Sequence, residues 1–183
     1  MPASINNLVC GVFLDRDGTI IEDRGDLSDP SQVVFFKDTI TSLQSLCERY
    51  YLFMVTNQSG VAKGTISMQE VEGVNAYIAS YLRGHGILLK AIYVCPHARW
   101  SGCHCIKPSP YFLEKAAGDF GVDLGCSFVI GDHPHDVQLA INAGATGIYV
   151  LSGHGRKHSH EIPAGSTVAQ GIKEATEIIL ERT

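Results

Sequence analysis

The sequence predicts a single α/β domain of three layers, a mostly parallel sheet between two sets of helices. Three observations predict it. Short apolar runs recur along the chain and stop at turn residues, as buried strands do. Segments with helical apolar spacing alternate with those runs, the pattern of strand–helix–strand units whose sheet is parallel and covered on both faces. The length of 183 residues, 45% hydrophobic and 18% charged, suits one domain with a sizeable core.

Taken in order, residues 8–14 are apolar and end in Asp15-Arg16-Asp17-Gly18-Thr19, a first strand reaching a turn. Residues 22–37 are polar and turn-rich, with a short hairpin expected around 33–36. Asp38 or Thr39 caps a helix to about Tyr50, with Ile40, Leu43, Leu46 and Cys47 on one face. Residues 51–56 (YLFMVT) form a second strand, and Ser67 starts a helix to about Arg83, ended by Gly84 and Gly86. Residues 91–95 form a third strand, followed by an irregular Cys/His loop over 96–106. Ser109 caps a helix to Phe120, with Pro110 at its first position. Strands at 127–130, 147–151 and 167–169 and helices at 137–143 and 172–180 complete the chain.

A net charge of −5 and the lack of a basic stripe argue against a nucleic-acid binder. No apolar run is long enough to span a bilayer. The N-terminal residues lack the basic start of a leader, so a cytoplasmic location is expected. Three of the six cysteines, Cys95, Cys103 and Cys105, cluster near His97. Cys10, Cys47 and Cys126 lie in apolar segments and read as small core residues in a reducing compartment, without a disulfide framework. The chain is expected to be a monomer or a weak homo-oligomer.

In parallel α/β sheets, ligands bind at the carboxyl ends of the strands. Asp15, Thr56, Cys95 and Asp132 all stand at such ends and are expected on one rim. Residues i and i+2 of an extended chain share a side, so Asp15 and Asp17 project into one space. Asp15 is ionised at neutral pH and attacks phosphorus without an activating base. A cation must then screen it from an anionic phosphate. Mg2+ suits a site of one or two carboxylates and phosphate oxygens, with Asp132 as the second carboxylate. Asp17 is placed to give the leaving alkoxide a proton and later to deprotonate water. Its backbone carbonyl is also available to the metal. Thr56-Asn57-Gln58-Ser59-Gly60 offers a hydroxyl and a turn of N–H groups as a phosphate cradle. Lys107 supplies positive charge for Asp15 and the phosphoryl group. Asp136 either holds a metal-bound water or caps its helix. Taken singly, these residues also read as an acidic turn, a polar turn and a solvated helix entry.

Cys95-Pro96-His97…Cys103-His104-Cys105 is a C-x-H-x5-C-x-C pattern. Three thiols and an imidazole make a closed, structural zinc site, with His104 the alternative imidazole. Unlinked cysteines, or a redox role for Cys103 and Cys105, are the other readings. His154, His158 and His160 read as solvent-facing loop residues rather than another metal site, with Gly153-His154-Gly155-Arg156, which follows the fifth strand, the part placed to reach the rim.

The ordered set Asp15-Arg16-Asp17-Gly18-Thr19, Thr56-Asn57-Gln58-Ser59-Gly60, Lys107-Pro108 and Gly131-Asp132…Asp136 resembles the four motifs of the haloacid dehalogenase (HAD) superfamily of phosphatases. The resemblance covers roughly residues 9–151 and implies a Rossmann-like fold; the whole chain, 1–183, is expected to be one such domain. It implies Asp15 as nucleophile, Asp17 as acid/base, and Thr56 and Lys107 as phosphoryl stabilisers. Asp15, Asp17 and Asp132 are then the Mg2+ ligands. Neither insertion point is long, so the domain is expected to be capless, with a site rimmed by Asp23, Arg24, Gly25 and Asp26 and by the loop at 95–105. That loop is similar to the zinc loop of the D-glycero-D-manno-heptose-1,7-bisphosphate 7-phosphatase and histidinol-phosphate phosphatase group, which implies Cys95, His97, Cys103 and Cys105 as Zn2+ ligands. The implied substrate is a small phosphate ester such as a sugar phosphate, contacted by Asp23, Arg24, Gly25, Asp26, Asn57, Gln58, Ser59 and Ile106. A histidinol-phosphate phosphatase and an idle, zinc-stiffened phosphate-binding module are the alternatives. Ile106 stands where that group usually has Arg, Asp26 where Tyr is common, and His133 where Lys is common.

Overall fold

The computed structural model describes residues 9–182. Leu8 and the expectations for the N-terminal residues before it lie outside that range. Among the described residues, six strands form one sheet in the order β3-β2-β1-β4-β5-β6. They are β1 (Gly11–Leu14), β2 (Tyr51–Asn57), β3 (Leu89–Cys95), β4 (Phe128–Gly131), β5 (Thr146–Val150) and β6 (Thr167–Ala169). Every pairing is parallel, because each strand returns through a crossover rather than a hairpin. The helices are α1 (Thr39–Cys47), α2 (Gly60–Lys63), α3 (Met68–Gly84), α4 (Tyr111–Phe120), α5 (Pro134–Ala143), α6 (Gly155–His158) and α7 (Ile172–Glu181).

Successive strand residues point to opposite faces, and the core divides accordingly. Val12, Leu14, Leu52, Met54 and Ile130 face one side and pack with α1, α3 and α7 through Leu43, Val74, Ile78 and Ile179. Phe13, Phe53, Val55 and Val129 face the other, against Leu113 and Ala116 of α4 and Leu139 of α5. These are the three layers of a single α/β domain, and the described residues contain no separate cap.

The helix starts follow local chemistry. Ser67 and Glu70 form a reciprocal capping box at α3. The hairpin expected around 33–36 is reduced to one antiparallel bridge, Ile21 with Phe35, next to a 3-10 turn at Pro30–Gln32. α2 and α6, of four residues each, were not anticipated; such short turns carry no apolar period. No helix among the described residues is long and apolar enough to cross a membrane.

The reading of Cys10 and Cys126 as unpaired core thiols is corrected. They form a disulfide, with Cα atoms 5.4 Å apart. Val12 pairs with Phe128 across β1 and β4, and Cys10 and Cys126 each lie two residues before that pair. The sheet register therefore puts them side by side despite 116 residues of separation. Cys47 is half-buried and unbridged.

Candidate active site

The chain builds β2 and β3 on one side of β1 and then crosses to β4 on the other. That reversal opens a crevice at the carboxyl ends of β1 and β4. Asp15 follows β1 and Asp132 follows β4, so the switch point delivers both acids to one place. A cavity of about 330 Å³ opens there, lined by Asp15, Asp17, Thr56, Asn57, Ser59, Arg99, Lys107, His133, His135, Asp136 and His154.

Lys107 is the electrostatic centre of this cavity. Its ammonium donates to Asp15, to Asp136 Oδ1 at 2.7 Å and to the Val55 carbonyl at 3.1 Å. Its backbone N–H donates to Asn57 Oδ1 at 3.2 Å, tying the lysine to the end of β2. Burial works against the ammonium, but Asp136 and Asp15 outweigh it and hold its pKa above the usual lysine value.

Oxygens of Asp15, Asp132 and Asp136 lie within 4.8 Å of one another. Burial, partly offset by Lys107, pushes the Asp15 carboxyl up to about 6. Burial and the charge of Asp15 push Asp132 up to about 8. Three converging carboxylates with a single lysine among them suit a hard divalent cation with oxygen ligands. Asp132 sits in a slot between two glycines. A Cβ on Gly18 would fall 2.1 Å from its Oδ2, and one on Gly153 2.3 Å. The His154 backbone N–H donates to the same oxygen at 2.7 Å. Asp136 also accepts from the His133 N–H at 3.1 Å, so it caps α5 while facing the acidic cluster.

The side chain of Asp17 is outside that carboxylate cluster. Its Oδ2 accepts from Arg16 Nε at 2.9 Å and from Gln58 Nε2 at 3.0 Å. Arg16 is wholly buried and is braced in turn by Asn75 Oδ1 at 2.9 Å. The other oxygen, Oδ1, is buried without a hydrogen-bond partner. Burial raises the Asp17 pKa against the lowering pull of Arg16. Gln58 also donates to Thr56 Oγ1 at 2.8 Å, so it faces its neighbours rather than the cavity.

The residues expected to contact substrate divide. Asn57 and Ser59 line the cavity. Asp23 faces an adjoining hollow and pairs with His154 at 3.2 Å. Arg24 is exposed and pairs with Glu22 at 2.9 Å. Gly25 is exposed, in a turn closed by Asp23. Asp26 turns away: it accepts from Thr65 at 2.5 Å and lies over Gly60. Ile106 packs with the apolar cluster on the α4 side of the sheet. In their place the fold brings Arg99, His133, His135 and His154 to the cavity wall. Of these, only His135 carried no sequence signal. His154 is exposed, as expected, and the turn after β5 also brings it to the cavity.

Cys95, His97, Cys103 and Cys105 converge beside this wall. Cys95 Sγ lies 3.6 Å from Cys103 Sγ and 3.7 Å from His97 Nδ1. Cys105 Sγ lies 3.4 Å from His97 Nδ1 and 3.8 Å from Cys103 Sγ. A tetrahedron with metal–sulfur bonds of about 2.3 Å has edges of about 3.8 Å, so the four donors match one closed metal centre.

A sequence profile described as HAD-hydrolase-like matches residues 104–175. A probable D-glycero-D-manno-heptose-1,7-bisphosphate 7-phosphatase of Thermoplasma acidophilum is 38% identical over 141 residues, covering 76% of this chain and 88% of the relative. The D-glycero-beta-D-manno-heptose-1,7-bisphosphate 7-phosphatase of Yersinia pestis is 33% identical over 154 residues, covering 79% and 82%. The crystal structure of D,D-heptose 1,7-bisphosphate phosphatase from B. bronchiseptica, complexed with magnesium and phosphate, matches with a TM-score of 0.88 at 27% identity, covering 96% of this chain and 100% of that one. With the ordered motifs gathered around one acidic crevice, these relatives show that the chain belongs to the HAD superfamily of phosphatases, closely related to the D-glycero-D-manno-heptose-1,7-bisphosphate 7-phosphatases.

Proposed function

We propose that this HAD-type, Mg2+-dependent phosphomonoesterase acts on a sugar phosphate, D-glycero-D-manno-heptose 1,7-bisphosphate foremost, and carries the phosphoryl group on Asp15. The observation that carries the reading is the Asp15 carboxylate, held by Lys107 in a cavity lined also by Thr56 and Asn57 and clustered with Asp132 and Asp136. The names of the relatives support the heptose substrate.

The Asp15 and Asp132 side chains and the Asp17 carbonyl are the ligands we assign to Mg2+. When bound, the ion supplies positive charge to screen nucleophile from phosphate and to stabilise the transferring group. Asp15 attacks phosphorus, and the bond to the sugar oxygen breaks. Asp17 delivers a proton to that oxygen. Its Oδ1 is the oxygen free to do so, since Arg16 and Gln58 hold Oδ2. Asp17 then takes a proton from water, which attacks the phosphorylated Asp15 and releases inorganic phosphate. Lys107 and the Thr56 hydroxyl steady the charge on the phosphoryl oxygens.

We assign zinc to the Cys95–His97–Cys103–Cys105 centre. Four protein ligands close it to substrate, so its work is to hold the loop.

The test is phosphate release in Mg2+ from heptose 1,7-bisphosphate, hexose phosphates and histidinol phosphate. The heptose bisphosphate is expected to have the highest kcat/KM, and Asp15→Asn is expected to abolish turnover. An active Asp15→Asn protein would sink the mechanism; a preference for histidinol phosphate would sink the substrate.

A further inference from the structure

Two full cations line the cavity, Lys107 and Arg99. Lys107 is committed to Asp15 and Asp136. Arg99 has no carboxylate among the ion pairs of the described residues. Its Nη2 lies 3.1 Å from Nδ1 of His135. A guanidinium only donates, so this imidazole nitrogen is the acceptor and orients the arginine.

The position of Arg99 is built rather than incidental. It opens the 3-10 turn Arg99–Ser101, midway between Cys95 and His97 on one side and Cys103 and Cys105 on the other. Ala98 beneath it is buried, Ser101 N–H donates to the Ala98 carbonyl at 3.0 Å, and Gly102 at φ +66° turns the chain back. The Cys/His centre therefore clamps both feet of a short arch that carries Arg99 to the cavity. Arg99 is the sole Lys or Arg over residues 96–106, and Ile106 of the same loop packs into the core.

We propose that Arg99 binds a second anionic group of the substrate, distinct from the phosphoryl group transferred at Asp15. The paired N–H donors of a guanidinium fit two oxygens of a phosphate or a carboxylate. The substrate class is then a small metabolite with two phosphates, or with one phosphate and one carboxylate. This rests on the proposed phosphatase site only for where the first phosphate lies.

Binding is measured by calorimetry in Mg2+ on the Asp15→Asn protein, so that nothing turns over. Fructose 1,6-bisphosphate is compared with fructose 6-phosphate, and 3-phosphoglycerate with glycerol 3-phosphate. At least one of the two ligands with a second anionic group is expected to bind about 10- to 100-fold more tightly than its partner, and the pair that shows the advantage identifies phosphate or carboxylate. Adding Arg99→Ala is expected to erase that advantage, and Arg99→Lys to restore part of it. No advantage in either pair, or an advantage that survives Arg99→Ala, would overturn the proposal. Trp100, the single tryptophan, adjoins Arg99; its unchanged emission in each variant reports that the arch is intact. Phosphate release from 4-nitrophenyl phosphate by the unmutated protein is a separate measurement. Its failure would sink the hydrolase mechanism, while the binding comparison would still decide the role of Arg99.

Discussion

Nζ of Lys107 lies 2.7 Å from Oδ1 of Asp136, with the lysine 7% and the aspartate 1% exposed. The pair joins the end of the Cys/His loop to the first turn of α5. The same ammonium donates to Asp15, so Asp136 orients from behind the charge that steadies the nucleophile.

Breaking a buried ion pair costs on the order of 3–5 kcal/mol when the remaining charge is left without a partner; Lys107 keeps Asp15, so the cost here falls at or below the lower end of that range. Asp136→Ala is expected to lower stability by that order in a denaturant titration and to slow phosphate release. Asp136→Asn keeps the α5 cap and is expected to lose less stability. Equal losses in the two variants would show that the α5 cap contributes nothing and that the lost charge accounts for the whole effect.

Asp17→Asn keeps the backbone carbonyl and nearly the side-chain shape but cannot cycle a proton. Phosphate release is expected to fall by about 10²- to 10⁴-fold, while Mg2+ affinity stays near that of the parent. Steady-state rates and a Mg2+ titration read the two effects separately. A rate within a few-fold of the parent would remove Asp17 from the proton step.

The slot around Asp132 makes a prediction about two glycines far apart in sequence. Gly18 has φ +81° and Gly153 φ +52°, and a Cβ on either meets the Asp132 carboxylate. Gly18→Ala and Gly153→Ala are each expected to raise the Mg2+ concentration for half-maximal activity and to cost on the order of 1–3 kcal/mol of stability. Gly25→Ala, also at positive φ but with nothing within 4 Å, is the control for backbone strain. Its Mg2+ requirement should stay unchanged.

Elemental analysis of protein purified without chelator is expected to find one zinc per chain. Removing it should lower Tm and change the emission of Trp100, which is 82% exposed on the arch between the ligands. Cys103→Ser should do the same. If the melting temperature is the same with and without a strong chelator, the centre does not brace the loop.

The strands and long helices were legible because their causes are local. Apolar runs such as 51–56 mark buried strands, and Ser67 with Glu70 marks a helix start. The placement of Asp15, Thr56 and Asp132 at strand ends was equally legible, since a parallel sheet sends all carboxyl ends to one rim, and Lys107 stood out as the cation just before a helix. The short helices α2 and α6 were not, for four residues hold no period.

Sequence alone determined the layer architecture, the acidic centre and the Cys/His cluster, each written in residue type and short-range spacing. Tertiary structure alone decided the Cys10–Cys126 bond, the inward turn of Ile106, the outward turn of Asp26, and the meeting of Arg99 with His135. Those outcomes depend on strand register and on which loops the switch point brings together. Pairings across 36 and 116 residues leave no periodic trace in the chain that makes them.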